Sequence, residues 1–228
     1  MRLLKFPLFA GLVMIAAYSC REKGSRFIDH GEIHYNIDYV HTSGSMSNDF
    51  KPHTLVVSFN SNKLLFEILS PIANQGIINI INPEENIYDT YINMLGVKYY
   101  YRGAPGEIHP GFGSMTEPEI KKTSKTKNIC GFSCNNAEVT FADNRKKIYE
   151  IWYTNDIDVK NTNTSTPFES IDGVLMSFYY ILGDTELRFD AETVYKKDIP
   201  DKAFERRPKF KLVSRKDMDK IIIDMVNL

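Results

Sequence analysis

From Gly31 onward, apolar and polar residues alternate with a period of two. Ile33, Tyr35, Ile37 and Tyr39 are separated by His34, Asn36 and Asp38. Successive side chains of a strand point to opposite faces, so this spacing predicts a strand with one buried face. The pattern then repeats in short runs broken by turn-forming residues. Leu55–Phe59 and Lys63–Leu69 flank Asn60-Ser61-Asn62, and Gly76–Asn82 and Asn86–Asn93 flank Pro83-Glu84-Glu85. Gly96–Tyr101 continues the series. Residues 102–126 hold glycines, prolines and charge without periodicity, and read as a long loop.

The second half resumes with Asn128–Cys130 and Cys134–Phe141 as a hairpin, which Gly131-Phe132-Ser133 would close as a tight loop. Lys147–Thr154 follows the turn Ala142-Asp143-Asn144. After a polar loop at 155–167, Val174–Leu182 and Glu186–Tyr195 flank Gly183-Asp184. Near the C-terminus the period changes. Met218, Ile221, Ile222 and Met225 follow i, i+3, i+4, i+7 spacing, and Ser214 with Asp217 resembles a capping box, so a helix is predicted there.

This gives a mainly β chain of about ten strands with few helices, including a C-terminal one. Consecutive strands with hairpin links predict an antiparallel sheet. Several strands are apolar on both sides: Met176, Phe178 and Tyr180 alternate with Leu175, Tyr179 and Ile181. Both faces must therefore be covered, by a helix, by the sheet curling on itself, or by a bound apolar ligand.

The N-terminus follows a different plan. Arg2 and Lys5 precede an apolar run from Phe6 to Ala17, and Tyr18-Ser19-Cys20 follows. That is the layout of a secretory signal, and a small residue before a cysteine makes it a bacterial lipoprotein signal. The run is shorter than the roughly 20 residues a membrane-spanning helix needs. The expected organisation is a signal peptide at 1–19, a tether at 20–29 opening on an acylated Cys20, and a single β domain at 30–228. Without the leader's two basic residues, the 28 Lys and Arg fall to 26 against 29 Asp and Glu, near −3. That balance argues against a nucleic-acid partner. Arg21-Glu22-Lys23 lacks the dense acidic run that marks surface export in some lipoproteins. The expected location is therefore the outer membrane, facing the periplasm.

Candidate chemistry is sparse. Cys130 and Cys134 lie about 13 Å apart in a continuous strand, too far to bridge. Across a tight hairpin loop they become a candidate disulfide, and otherwise they are two reduced thiols. His30 and His34 share a strand face at a similar separation, too far to hold one metal. No Gly-x-Ser-x-Gly elbow or phosphate loop occurs, and neither a cofactor nor catalysis is expected.

Three segments carry a family resemblance: Lys127-Asn128-Ile129-Cys130-Gly131-Phe132-Ser133-Cys134-Asn135-Asn136-Ala137, Tyr149-Glu150-Ile151-Trp152-Tyr153-Thr154-Asn155-Asp156-Ile157, and Pro167-Phe168-Glu169-Ser170-Ile171-Asp172-Gly173-Val174-Leu175. They resemble segments of the GLPGLI family and of related envelope domains of unknown function, although the namesake Gly-Leu-Pro-Gly-Leu-Ile is absent. Those domains resemble the LolA/LolB-type lipoprotein-localisation fold. The resemblance implies a strongly curved, incompletely closed antiparallel sheet over a helical lid, with an apolar cavity and no catalytic residues. The expected function is non-catalytic binding or carriage of a lipid or other apolar ligand. The alternative is a structural or protein-interaction module with a self-filled core. Trp152, Phe178 and Tyr180 are expected to line or border the concavity, with the loop 102–126 and the C-terminal helix as its covers. Trp152 is either such a contact or a core residue. A long-chain acyl probe should then bind with weak salt dependence and perturb Trp152 fluorescence.

Overall fold

The computed structural model describes residues 28–42, 44, 47–71, 75–94 and 96–227. The leader, Cys20 and most of the tether lie outside the described residues.

The alternation at the start of the domain becomes β1 (His30–His41), which buries Gly31, Ile33, Tyr35 and Ile37. Next come β2 (Thr54–Asn60), β3 (Lys63–Leu69), β4 (Gly76–Asn82), β5 (Ile87–Met94) and β6 (Val97–Arg102). The second half supplies β7 (Glu119–Ile129), β8 (Phe132–Phe141), β9 (Asn144–Thr154), β10 (Val174–Leu182) and β11 (Thr185–Tyr195). A two-residue β12 (Lys211–Leu212) leads into α1 (Arg215–Val226). Strands make up 54% of the described residues. All twelve join one open, curved sheet in the order β12-β6-β5-β4-β3-β2-β1-β11-β10-β9-β8-β7. Neighbours are antiparallel except β12, which runs parallel to β6.

β1 holds the two halves together. It pairs with β2 on one side and with β11 on the other, so two meanders meet along it. The β1–β11 register shifts between His34 and Tyr35 and again between Tyr39 and His41. Extra residues in one strand bend it and increase its twist. The resulting curvature is strong enough that Leu64 and Phe66 of β3 border the same small void as Val174 and Phe178 of β10. Three strands lie between β3 and β10 in the sheet.

The concave face carries the main core, on which α1 packs through Met218 and Ile222. Ser214 caps the helix by accepting from the Asp217 N–H. The Asp217 carboxylate takes the Ser214 hydroxyl at 2.6 Å, in place of the backbone N–H that a full capping box would engage. The convex side of β3–β5 has its own core of Leu65, Ile78, Ile80, Ile87 and Tyr91. It is covered by Ile199, Phe204 and Phe210 from the extended segment that follows β11. Arg206 fastens this segment to the buried Asp89 at 2.9 Å, and Arg207 reaches Glu67 at 2.9 Å. An irregular segment, absent from the expected covers, is thus what buries the second face of the first-half strands.

Two expectations are corrected. The long loop ends at Pro118, because Glu119–Ile129 is an edge strand. Most of its side chains are exposed, so a polar strand wet on both sides shows no alternation to read. Its lysines also discourage pairing with another chain. The β7–β8 turn is Cys130-Gly131, with Ile129 opposite Phe132. Both turn residues have positive φ, 53° and 84°, as a two-residue hairpin turn of this hand requires.

Candidate functional site

Most of the concave face is filled by the chain itself. Over β10 and β11, Phe178, Tyr180 and Phe189 form a ring cluster, with Phe178 and Phe189 stacked at 4.9 Å. The segment 155–173 drops Phe168 onto them, fully buried and 6.3 Å from the Tyr180 ring. Phe112 closes from the other side, 4.6 Å from Tyr180. Asn163 holds the segment in this path by donating to the Ile171 and Gly173 carbonyls at 2.7 and 2.9 Å. Two small voids border these rings. One of about 30 Å³ borders Phe178 and Tyr180, and one of about 10 Å³ lies between Asn79, His109, Thr166 and Tyr180.

The second void marks a polar spot in an apolar interior. Asn79 of β4 faces Thr90 of β5, whose hydroxyl lies 3.2 Å from His109 Nδ1. Among the described residues, Asn79 Oδ1, His109 Nε2 and Ser165 Oγ are buried without a hydrogen-bond partner. Ten cubic ångströms is on the order of what one water molecule needs. Burial, reinforced by the positive charge of Arg215, lowers the His109 pKa to about 3, so the ring is neutral at pH 7.

The other end of the concave face is open. A cavity of about 410 Å³ lies where the last residues of β3 and the first of β4 approach the C-terminal end of α1. That volume falls within the roughly 300–1,000 Å³ typical of small-molecule sites. Its walls are Ile68 and Ile77 of β3 and β4, Leu182 and Leu187 of β10 and β11, and Met225 and Val226 of α1. Tyr39, Phe50, Lys51 and Pro52 form one rim. Ile68 and Ile77 also border the polar void, so the cavity leads towards it.

The helix that roofs this cavity is fixed at both ends. Arg215 contacts Asp219 and Glu107 at 2.9 Å each, and donates to the Ile108 and His109 carbonyls. Gly111 donates to Asp219 at 2.7 Å. At the far end the Thr185 hydroxyl donates to the Val226 carbonyl at 3.2 Å. Gly111 has a φ of 99°, and an added Cβ would lie 2.9 Å from Ile222 and 3.2 Å from Leu182. A side chain there would push the helix off the sheet.

The structure divides the three aromatics singled out in the sequence. Phe178 and Tyr180 lie on the concave face, in its filled part. Trp152 is in register with Ser177, the neighbour of Phe178, so strand alternation puts it on the opposite side of the sheet. Its half-buried ring lies 4.3 Å from the Lys127 ammonium and borders none of these voids. Cys130 and Cys134 are free thiols. Cys130, at the turn, donates to the Ala191 carbonyl, while Cys134 lies buried in β8. Burial raises both thiol pKa values, that of Cys134 to about 11. Among the described residues no group of three His, Cys, Asp or Glu side chains could hold a metal ion. No helix among them is long and apolar enough to cross a membrane. The sequence reading missed the cavity walls because Ile68, Leu187 and Met225 look like ordinary core positions in their own elements.

No family model and no curated protein matches this sequence. Among solved structures it is similar to PNGF-II in two crystal forms. The form in space group C2 gives a TM-score of 0.53 at 19% identity, over 85% of this chain and 32% of that one. The P21 form gives 0.52 at 17%, over 85% and 33%. The chain thus spans about a third of PNGF-II's length, and the likeness is one of fold. MucB is a looser match, at 0.33 and 9% identity over 82% of this chain and 61% of that one. So is the LolA superfamily protein NE2245 from Nitrosomonas europaea, at 0.32 and 13% over 78% and 91%. At those scores neither likeness carries an argument.

Proposed function

We propose that this protein is a non-catalytic binder of a lipid or other apolar ligand, held in the open end of its curved sheet. The observation that carries this reading is the apolar cavity of about 410 Å³ beneath α1. Its walls are aliphatic and come from elements far apart in sequence. Binding there would draw on buried apolar area, at about 25 cal/mol per Å². The leader supports an envelope location, with an acylated Cys20 tethering the domain to the outer membrane on its periplasmic side. Acyl chains hold such an anchor by about 0.8 kcal/mol per buried methylene.

A second reading has its own observation. The filled part of the concave face matches a self-contained core, as an interaction module of the envelope would have. A fluorescent long-chain acyl probe separates the two. The ligand reading expects saturable, weakly salt-dependent binding and lipid co-purifying in native mass spectrometry. Absence of both would leave the interaction module. Trp152 faces away from the cavity, so its emission should stay constant while the probe responds. For the anchor, Cys20→Ala should move the protein from membrane to soluble fractions, and a variant that still pellets with membranes would refute acylation.

A further inference from the structure

One cationic residue lines the cavity among the described residues, and it is unusual among the lysines here. Lys51 follows the short 3₁₀ turn Asn48–Phe50 and is only 8% exposed. Lys63, Lys125, Lys147 and Lys197 each meet a carboxylate. Lys51 meets none among the described residues. Its ammonium sits 5.1 Å from the centre of the Tyr39 ring. The Tyr39 hydroxyl donates to the Pro52 carbonyl at 3.0 Å, which fixes that ring beside the lysine. Burial pushes the Tyr39 phenol up to about 12, so at pH 7 it offers Lys51 a neutral aromatic face and no counter-charge. The stem is buried while the ammonium keeps its access to solvent at the rim, so the charge has an aromatic face beside it and no carboxylate. Beside it, Phe50 is 52% exposed at the cavity rim and extends the apolar wall outward.

The cavity is therefore amphipathic in a definite sense: aliphatic walls and, at the rim, one positive charge that meets no carboxylate among the described residues. We infer that its ligand is a single-chain amphiphile with an anionic head, a carboxylate or a phosphate monoester, whose head pairs with Lys51 while its chain lies against Ile68, Ile77 and Leu187. This rests on the cavity being a ligand site, as proposed above, and adds the head-group chemistry. The net charge of the chain is −1, so attraction of an anion must be local to this lysine. A head group seated there would cover the ammonium, and a pair sheltered in that way is screened less by salt than an exposed one, which keeps the expected salt dependence weak.

The test uses delipidated full-length protein and three competitors of equal chain length against the acyl probe: hexadecanoate, hexadecyl phosphate and hexadecanol. At least one of the two anions should bind about tenfold more tightly than the alcohol, the scale of one hydrogen bond to a charged group. The tighter anion identifies the head. Lys51→Met should abolish the preference while leaving hexadecanol affinity within about twofold, and Lys51→Arg should keep it. Equal affinity of all three for the wild-type protein would overturn the head-group inference and leave the cavity standing. So would a preference that survives in a folded Lys51→Met. Failure of all three to bind would overturn both. The wild-type comparison decides the matter even if Lys51→Met does not fold.

Discussion

Over β10 and β11 the concave face is packed with aromatic rings, whereas at the end where β3, β4 and α1 meet it opens into a cavity of about 410 Å³. Both ends are lined mainly by apolar side chains. What differs is the covering chain. The segment 155–173 carries Phe168 and Ile171 and is laced down by Asn163, so it fills the space beneath it. At the open end the cover is the last turn of a helix anchored at both ends, which bridges the gap without filling it. A curved sheet with one lid element per end is thus solid or hollow according to whether that element can drop a large side chain inward. Protein interiors are close-packed by default, so the hollow end is the one that calls for a function.

The comparison breaks most readily at Phe168. Phe168→Ala removes a fully buried ring from the filled end and should lower unfolding free energy by about 3–5 kcal/mol in denaturant titrations. Acyl-probe affinity of the folded fraction should stay within about twofold of wild type if the filled end contributes nothing to binding. A large gain or loss of affinity would merge the two ends into one site.

Acid should act on the boundary between them. His109 has its pKa lowered from 6.5 to about 3, and a histidine depressed in the folded state takes up protons more readily when unfolded. Stability should therefore be complete above pH 6.5 and fall as pH drops towards 3, by about 3 kcal/mol at pH 4 from this residue. In His109→Gln the slope over that window should flatten in pH-dependent unfolding. An unchanged slope would show that other groups carry it.

Filling the hollow end should cost little. Met225→Trp places a ring into the cavity from α1. Melting experiments should find stability within about 1 kcal/mol of wild type, because the new side chain enters open space and displaces no packed neighbour. Affinity for the acyl probe should fall at least about tenfold. Unaltered binding would move the ligand elsewhere on the molecule.

The smallest effect is expected from the cysteines. Both are free in the structure, so unfolded protein should show two reactive thiols and reductant should leave the melting temperature unchanged. In the native state Cys134 should be alkylated more slowly than the turn residue Cys130, because it is buried and its thiolate is scarcer.

Local periodicity carried most of the fold. The alternation from Ile33 to Ile37, the turn at Gly183-Asp184, and the Ser214 cap with its Met218 and Ile222 stripe all depend on residues a few positions apart, and each lies where the sequence places it; the turn read at Asn60-Ser61-Asn62 is one residue shorter, since Asn60 pairs with Lys63. Where local pattern was silent, the reading failed. The edge strand Glu119–Ile129 is polar on both sides and reads as a loop. The Cys130-Gly131 turn needs positive φ at both residues, which the glycine signals and the cysteine does not. Trp152 reads as part of a two-faced apolar strand, yet the face it occupies follows from its pairing with Ser177. Above all, apolar spacing states that Ile68, Leu187 and Met225 leave water, but not what they leave it for. Whether they meet each other or a cavity depends on how far the sheet bends and how deep the lid reaches. Those are long-range quantities set by the β1–β11 bulges and the anchoring of Arg215. The proposed leader and Cys20 stand apart from both: that reading rests on neighbouring residues alone, while the placing of Lys51 beside an apolar cavity exists only once residues far apart in sequence are folded together.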